Sequence, residues 1–79
     1  MNYTKEEVEK AVIRLAKYVG KEDEYRGFFD RNEVLPRIVE LFLVEFDSVI
    51  VDDNIQNYYL TILEYAREMR NKGFAEFNS

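Results

Sequence analysis

The sequence predicts an all-α protein, a small antiparallel bundle of three long helices over about residues 4–19, 33–51 and 54–72. Apolar residues recur at helical spacing in each of these segments. Turn-forming residues separate the segments, and no second segment of alternating polarity exists to pair as a strand. Amphipathic helices joined by short turns bury their apolar faces only against each other, so we expect the 79 residues to form a single domain.

The first helix has a start signal and a stop signal. Thr4 and Glu7 have the spacing of a capping box, in which side chains satisfy backbone amides of the first turn. Gly20 is placed to end the helix, because glycine adopts the left-handed conformation without a side-chain clash. The predicted buried stripe consists of Val8, Ala11, Val12, Leu15, Ala16 and Val19.

The segment between the first two long helices, residues 21–32, carries mixed signals. Acidic residues at 22–24 suit the first turn of a helix, so a short extra helix over about residues 22–29 is the alternative to a loop. Gly27 and Asn32 suit turns. We expect the three aromatic rings of this segment to cover one end of the bundle, the alternative being contact with a partner. These rings belong to Tyr25, Phe28 and Phe29.

The segment from Val34 to Val51 is predicted to form the second long helix, and twelve of its eighteen residues are aliphatic or phenylalanine. Pro36 requires this helix to begin within about one turn of the proline or to bend there. Its apolar residues outnumber what one helix face needs, which implies a second contact surface. The predicted buried stripe consists of Leu35, Ile38, Val39, Phe42, Phe46, Val49 and Ile50.

Three apolar residues of this helix, Leu41, Val44 and Val51, lie on the side opposite the stripe, among charged residues. They must therefore meet another helix of the same chain, another copy of the chain or a foreign partner. A strand over residues 48–51 is the alternative for the end of the helix, since three consecutive β-branched residues favour extended structure.

The third long helix follows a break in which Asp53 and Gln56 repeat the capping-box spacing. Gly73 is placed to end this helix, with Phe74 folding back onto it. Tyr65 falls beside the apolar stripe, where we expect a residue at the rim of the bundle. The stripe itself is predicted to consist of Ile55, Tyr58, Tyr59, Ile62, Leu63, Ala66 and Met69.

The composition excludes most enzyme classes. The chain has no histidine and no cysteine, which removes the commonest general base near neutral pH and the usual nucleophile and zinc-ligand arrangements. No Walker, dinucleotide or calcium-loop pattern occurs, so we expect a non-enzymatic protein without a cofactor or metal site. The charged N-terminus and the charges within the apolar segment predict no secretory signal and no membrane span, hence a cytoplasmic location.

The net charge of −5 is concentrated in residues 22–53, which hold ten acidic and three basic residues. An acidic field repels phosphate backbones and anionic lipid, so basic proteins are the favoured partners. The alternative is an acidic surface that only maintains solubility. The candidate residues for contact with a basic partner are Glu22, Asp23 and Glu24. The one basic stripe, which would serve a nucleic-acid-binding module, consists of Lys10, Arg14, Lys17 and Lys21 on the first helix.

Tyr3-Thr4 opens the first helix, acidic residues flank the central helix, and the last helix ends in Arg70-Asn71-Lys72-Gly73-Phe74. In this layout the chain resembles the small acidic immunity proteins that neutralise nuclease bacteriocins. The resemblance implies a four-helix bundle that blocks a basic nuclease through an acidic helix and a tyrosine pair. In that family the pair stands before a proline on a short third helix, whereas Tyr58-Tyr59 is followed here by Leu60, so no binding residue is carried over.

These observations lead to three hypotheses about function. The leading one is a small acidic protein–protein interaction domain that self-associates, as a homodimer, through Leu41, Val44 and Val51. The alternative is an acidic inhibitor, of the antitoxin, immunity or phage anti-host type, that masks a basic protein with the acidic residues at 22–24. The third is a nucleic-acid-binding module that uses the basic stripe, which the acidic net charge disfavours.

Overall fold

The computed structural model describes residues 3–46 and 53–72 and contains four α-helices in those ranges, without a strand there. The all-α prediction is confirmed, and of the two alternatives for residues 22–29 the structure has the helix. The helices are α1 (Lys5–Tyr18), α2 (Glu22–Asp30), α3 (Leu35–Phe46) and α4 (Gln56–Asn71), the last preceded by a 3₁₀ turn, Asp53–Ile55.

Several sequence predictions concern residues outside the described ranges. The predicted end of the second long helix at Val51 and the alternative strand over 48–51 both fall in residues 47–52, which the structure does not describe. Gly73 and Phe74, predicted to close the last helix, also lie outside the described ranges.

Both ends of α1 follow the sequence signals. The Oγ1 of Thr4 accepts a hydrogen bond from the backbone amide of Glu7 at 3.1 Å, as the capping-box spacing predicts. Gly20 has a φ of 76°, and the amide of Lys21 donates to the carbonyl of Ala16 at 2.7 Å. This is the hydrogen bond of a Schellman motif, which turns the chain from α1 into α2.

The end of α2 has the same motif, built on asparagine instead of glycine. Asn32 has a φ of 61°, and the amide of Glu33 donates to the carbonyl of Phe28 at 3.1 Å. Asparagine tolerates this left-handed conformation better than other residues with a side chain. Gly27, in contrast, lies inside α2, so its interpretation as a turn residue was wrong. The helix continues through Gly27 because the burial of Tyr25 in the core outweighs the low helix propensity of glycine.

The core forms where α1, α3 and α4 meet, and the most extensive helix contact is between α1 and α4. Most predicted stripe residues within the described ranges are buried. Three further residues join them in the core, one of which is Tyr25 of α2. Leu43 is 7% exposed, because α4 packs along that side of α3, and Tyr65 is 3% exposed. The prediction of Tyr65 as a rim residue was wrong, because the ring of Tyr3 packs edge-on against it with the ring centroids 5.9 Å apart.

An aromatic cluster joins α2 to α3. The ring of Tyr25 lies edge-on to Phe28 and Phe42, with centroid distances of 5.1 and 5.5 Å, and Phe46 adds a tilted ring at 6.4 Å. Tyr25 is fully buried, whereas Phe28 and Phe29 are half-buried and pack against the core. The prediction that these rings cover one end of the helices is consistent with this arrangement.

Candidate functional site

The outer face of α3 carries apolar residues that no described helix covers. Val44 is 79% exposed and Leu41 is 42% exposed. They lie one turn apart, with Arg37 and Glu40 beside them, and we call these four residues the outer face of α3. The sequence placed Val44 and Leu41 correctly opposite the buried stripe. Val51, the third predicted contact residue, lies outside the described part of the chain.

The helix period explains why this face is open. Val44 stands two residues from Phe42 and two from Phe46, both of which are buried, so its side chain points about 200° away from theirs. The aromatic cluster and α1 hold the inner face of α3, and α4 lies along one side of it. No described element is left to cover the remaining side.

A groove runs between the outer face of α3 and α4, with a cavity volume of about 290 Å³. One wall comes from α3 and contains Leu43 and Val44, and the other comes from α4 and contains Leu63. Leu63 is half-buried, so the groove continues the apolar surface of Val44 inward to the core. The five residues that line this α3–α4 groove are Glu40, Leu43, Val44, Leu63 and Arg70.

The two charged residues of the α3–α4 groove stand on opposite walls. Glu40 belongs to α3 and Arg70 to the last turn of α4. Neither forms a salt bridge with any residue in the ranges 3–46 and 53–72. Neither residue was among the contact residues predicted from the sequence. The sequence signal for Glu40 was its position one turn before Val44 on the same face of the helix.

A second groove, between α1 and α2, is lined mostly by charged residues. It has a cavity volume of about 400 Å³ and contains three of the four residues of the predicted basic stripe together with the start of α2. Its charged residues are of both signs, and the carboxylate of Glu22 lies 2.7 Å from the guanidinium of Arg26. The residues that line this α1–α2 groove are Glu6, Glu9, Lys10, Ile13, Arg14, Lys17, Glu22 and Arg26.

The predicted acidic contact residues are therefore placed next to basic ones. Glu22 pairs with Arg26, and the carboxylate of Glu24 lies 4.0 Å from the ammonium of Lys21. Asp23 and Glu24 share a further concavity with Lys17 and Lys21. The structure brings the acidic residues at 22–24 together with the basic stripe. The α3–α4 groove contains none of the residues 22–24.

A hydrogen bond ties the start of α1 to the end of α4. The hydroxyl of Tyr3 donates to Oε2 of Glu68 at 2.7 Å, and the ammonium of Lys72 lies 3.4 Å from the same carboxylate. This hydrogen bond lowers the pKa of Glu68, and Lys72 adds to the effect. Burial and the same hydrogen bond raise the pKa of Tyr3 well above its ordinary value.

The ranges 3–46 and 53–72 contain no group of three or more acidic, histidine or cysteine residues that could hold a metal ion. Within those ranges, no helix has both the length and the apolar character needed to cross a membrane. No protein-family model, curated protein or solved structure matches this chain. The geometry of the chain itself is thus the basis for a functional proposal.

Proposed function

We propose that this protein is a non-enzymatic protein–protein interaction domain that associates with a second copy of itself through the outer face of α3. The observation that carries the proposal is the 79% exposure of Val44, in the last turn of α3 as described and in a groove that also contains Leu43 and Leu63. The proposal keeps the antiparallel arrangement of the helices predicted from the sequence, and the contact of Tyr3 with Glu68 supports it for α1 and α4.

The local charge favours a second copy as the partner. The chain as a whole carries a net charge of −5, so two copies repel each other over most orientations. The outer face of α3 and the α3–α4 groove together contain two basic residues, Arg37 and Arg70, and one acidic residue, Glu40. Two acidic molecules can approach each other at such a patch without like-charge repulsion, whereas a basic partner gains nothing there.

The expected affinity is low. Fully burying a valine or leucine side chain contributes about 1.5–3 kcal/mol, and association costs roughly 4–15 kcal/mol in lost freedom. Leu41 is already more than half buried. The free energy gained by burying Val44 and Leu41 of two copies therefore offsets only a cost near the lower end of that range. The α3–α4 groove must contribute further apolar area. We therefore expect a dimer whose population depends on protein concentration.

The proposal is tested by molar mass from size-exclusion chromatography with light scattering, over a wide concentration range and at two salt concentrations. We expect a dimer that Val44→Asp abolishes, while helicity and cooperative urea unfolding are retained. Leu60→Asp is the matched control, because Leu60 is 46% exposed on α4 and does not line the α3–α4 groove. A wild-type monomer at every concentration contradicts the proposal, and so does unfolding of the Val44→Asp variant.

The acidic-inhibitor hypothesis has weaker support. Its favourable observation is that Asp23 and Glu24 are exposed at the start of α2. The salt bridges of Glu22 and Glu24 reduce the negative field that a basic partner would meet. The nucleic-acid hypothesis is weakened in the same way, because three acidic residues line the α1–α2 groove beside the basic stripe. Both stay predictions, tested by capture of a basic partner and by a gel shift at low salt.

A further inference from the structure

We infer that the second copy docks with two-fold symmetry so that Glu40 of each subunit faces Arg70 of the partner subunit, with α3 of one copy lying on α4 of the other. This inference rests on the proposed self-association and adds the orientation of the two copies. It starts from the composition of the α3–α4 groove, whose two walls carry one acidic and one basic residue together with three apolar residues.

A two-fold interface presents the same patch on both subunits, so the patch must be complementary to itself. Glu40 stands on the α3 wall and Arg70 on the α4 wall. A two-fold axis that runs along the groove places each α3 wall over the partner's α4 wall. The acidic residue of one copy then meets the basic residue of the other, and this contact occurs twice.

The other simple orientation is less favourable. A two-fold axis that crosses the groove places α3 against the partner's α3 and α4 against the partner's α4. Glu40 from both copies then lies on one pair of helices and Arg70 from both on the other. Like charges close together at an interface oppose association, so the charges select the first orientation.

The availability of both charges supports this assignment. In the ranges 3–46 and 53–72, Glu40 and Arg70 form no salt bridge, whereas Glu22 is held by Arg26 within the same helix. Val44 lines the same groove and is the most exposed large apolar residue described. Protein interfaces usually combine apolar side chains, which supply affinity, with charged residues, which set orientation.

Charge reversal tests the pairing. Glu40→Arg and Arg70→Glu each place two like charges in contact twice, and we expect each to raise the dimer Kd by about tenfold or more. The double variant exchanges the two charges and is expected to restore the Kd to within about threefold of wild type. Mixing the two single variants gives a heterodimer with both pairs restored, so association should appear on mixing although neither variant dimerises well alone.

The controls separate this inference from the proposed function. Glu22→Arg, in the α1–α2 groove, changes the charge by the same amount and should leave the dimer Kd unchanged. Glu40→Gln and Arg70→Gln give the same comparison with smaller changes if a reversed variant loses its cooperative unfolding. A wild-type dimer whose Kd is unchanged by both single reversals overturns the pairing and leaves self-association intact. A wild-type monomer overturns both.

Discussion

The two grooves of this protein differ in how their charges are used. The α1–α2 groove is lined by three acidic and four basic residues, and Glu22 and Arg26 form a salt bridge at 2.7 Å. The α3–α4 groove has one acidic and one basic residue, on opposite walls, together with three apolar residues. The first groove has charged residues of both signs close together, two of them joined by a salt bridge. In the second, neither charged residue forms a salt bridge within residues 3–46 and 53–72, and the exposed side chain of Val44 lies in the same groove.

The difference shows that the net charge of a segment is a poor guide to a binding surface. Residues 22–53 carry most of the acidic charge, and the start of α2 is its densest part. The fold places that part beside the basic stripe of α1, which weakens its field. The better candidate surface is the one with fewer charges, because exposed apolar area drives association more than exposed charge does.

The largest expected effect separates the two faces of α3. Phe42 is fully buried and packs against Tyr25 and Phe46, so Phe42→Ala should lower the free energy of unfolding by about 3–5 kcal/mol. Val44→Ala, on the outer face, should change the free energy of monomer unfolding by no more than about 0.5 kcal/mol. Urea unfolding at a concentration where the protein is monomeric checks both values. A loss of several kcal/mol in Val44→Ala would identify Val44 as core and remove the contrast.

The turn that shapes the α1–α2 groove gives the next effect. Gly20 has a φ of 76° with nothing within 4 Å of an added Cβ, so the cost of Gly20→Ala is purely conformational, about 1–2 kcal/mol. Gly20→Asn should cost less, since Asn32 already occupies the equivalent position after α2. Thermal or urea unfolding measures the three proteins. Equal stability of wild type and Gly20→Ala would show that α1 does not require a left-handed residue at its end.

A smaller effect, dependent on pH, is expected where α4 is tied to the start of α1. The pKa of Glu68 is lowered in the fold. The ionised carboxylate therefore stabilises the folded state above the ordinary pKa of 4.5, and this stabilisation is lost as the pH falls through the lowered pKa. Tyr3→Phe removes the hydrogen bond to Glu68, so wild type should be the more stable protein at neutral pH, and the difference should shrink below pH 4.5.

At alkaline pH the stability depends on the ionisation of Tyr3. Because the pKa of Tyr3 is raised in the fold, its protonated hydroxyl stabilises the folded state fully below the ordinary pKa of 10.0, and this stabilisation decreases as the pH rises above it. Tyr3→Phe has no such decrease. Urea midpoints measured from pH 3 to 11 show the loss at acid pH and the onset of the loss at alkaline pH. A difference between wild type and Tyr3→Phe that stays constant across this range would mean that the hydrogen bond shifts the pKa of neither Glu68 nor Tyr3.

The smallest expected effect concerns the α1–α2 groove. The guanidinium of Arg26 is more than half exposed, so its salt bridge with Glu22 should contribute less than about 0.5 kcal/mol. Arg26→Gln should therefore leave both the unfolding midpoint and the dimer Kd close to wild type, and added salt should erase what difference remains. A clear change in Kd would bring the α1–α2 groove into the interface and reverse the comparison of the two grooves.

Much of the fold could be predicted from the sequence, because the relevant signals are local. The cap at Thr4, the stop at Gly20 and the buried stripe of α1 each depend on residues within one or two turns. The exposure of Val44 was also predictable, since it follows from the helix period relative to Phe42 and Phe46. Gly27 shows the limit of such rules. Its weak preference for a turn is outweighed by the burial of Tyr25 in the same helix.

The sequence by itself determined the all-α class, the caps of α1 and the apolar outer face of α3, because each follows from spacing along one helix. Only the tertiary structure decided which side chains of different helices meet. It buried Tyr65 under Tyr3, placed the acidic start of α2 beside the basic stripe, and set Glu40 opposite Arg70 across the α3–α4 groove. The physical reason is that contacts between helices depend on how each helix packs against the others, which no periodicity within a single helix specifies.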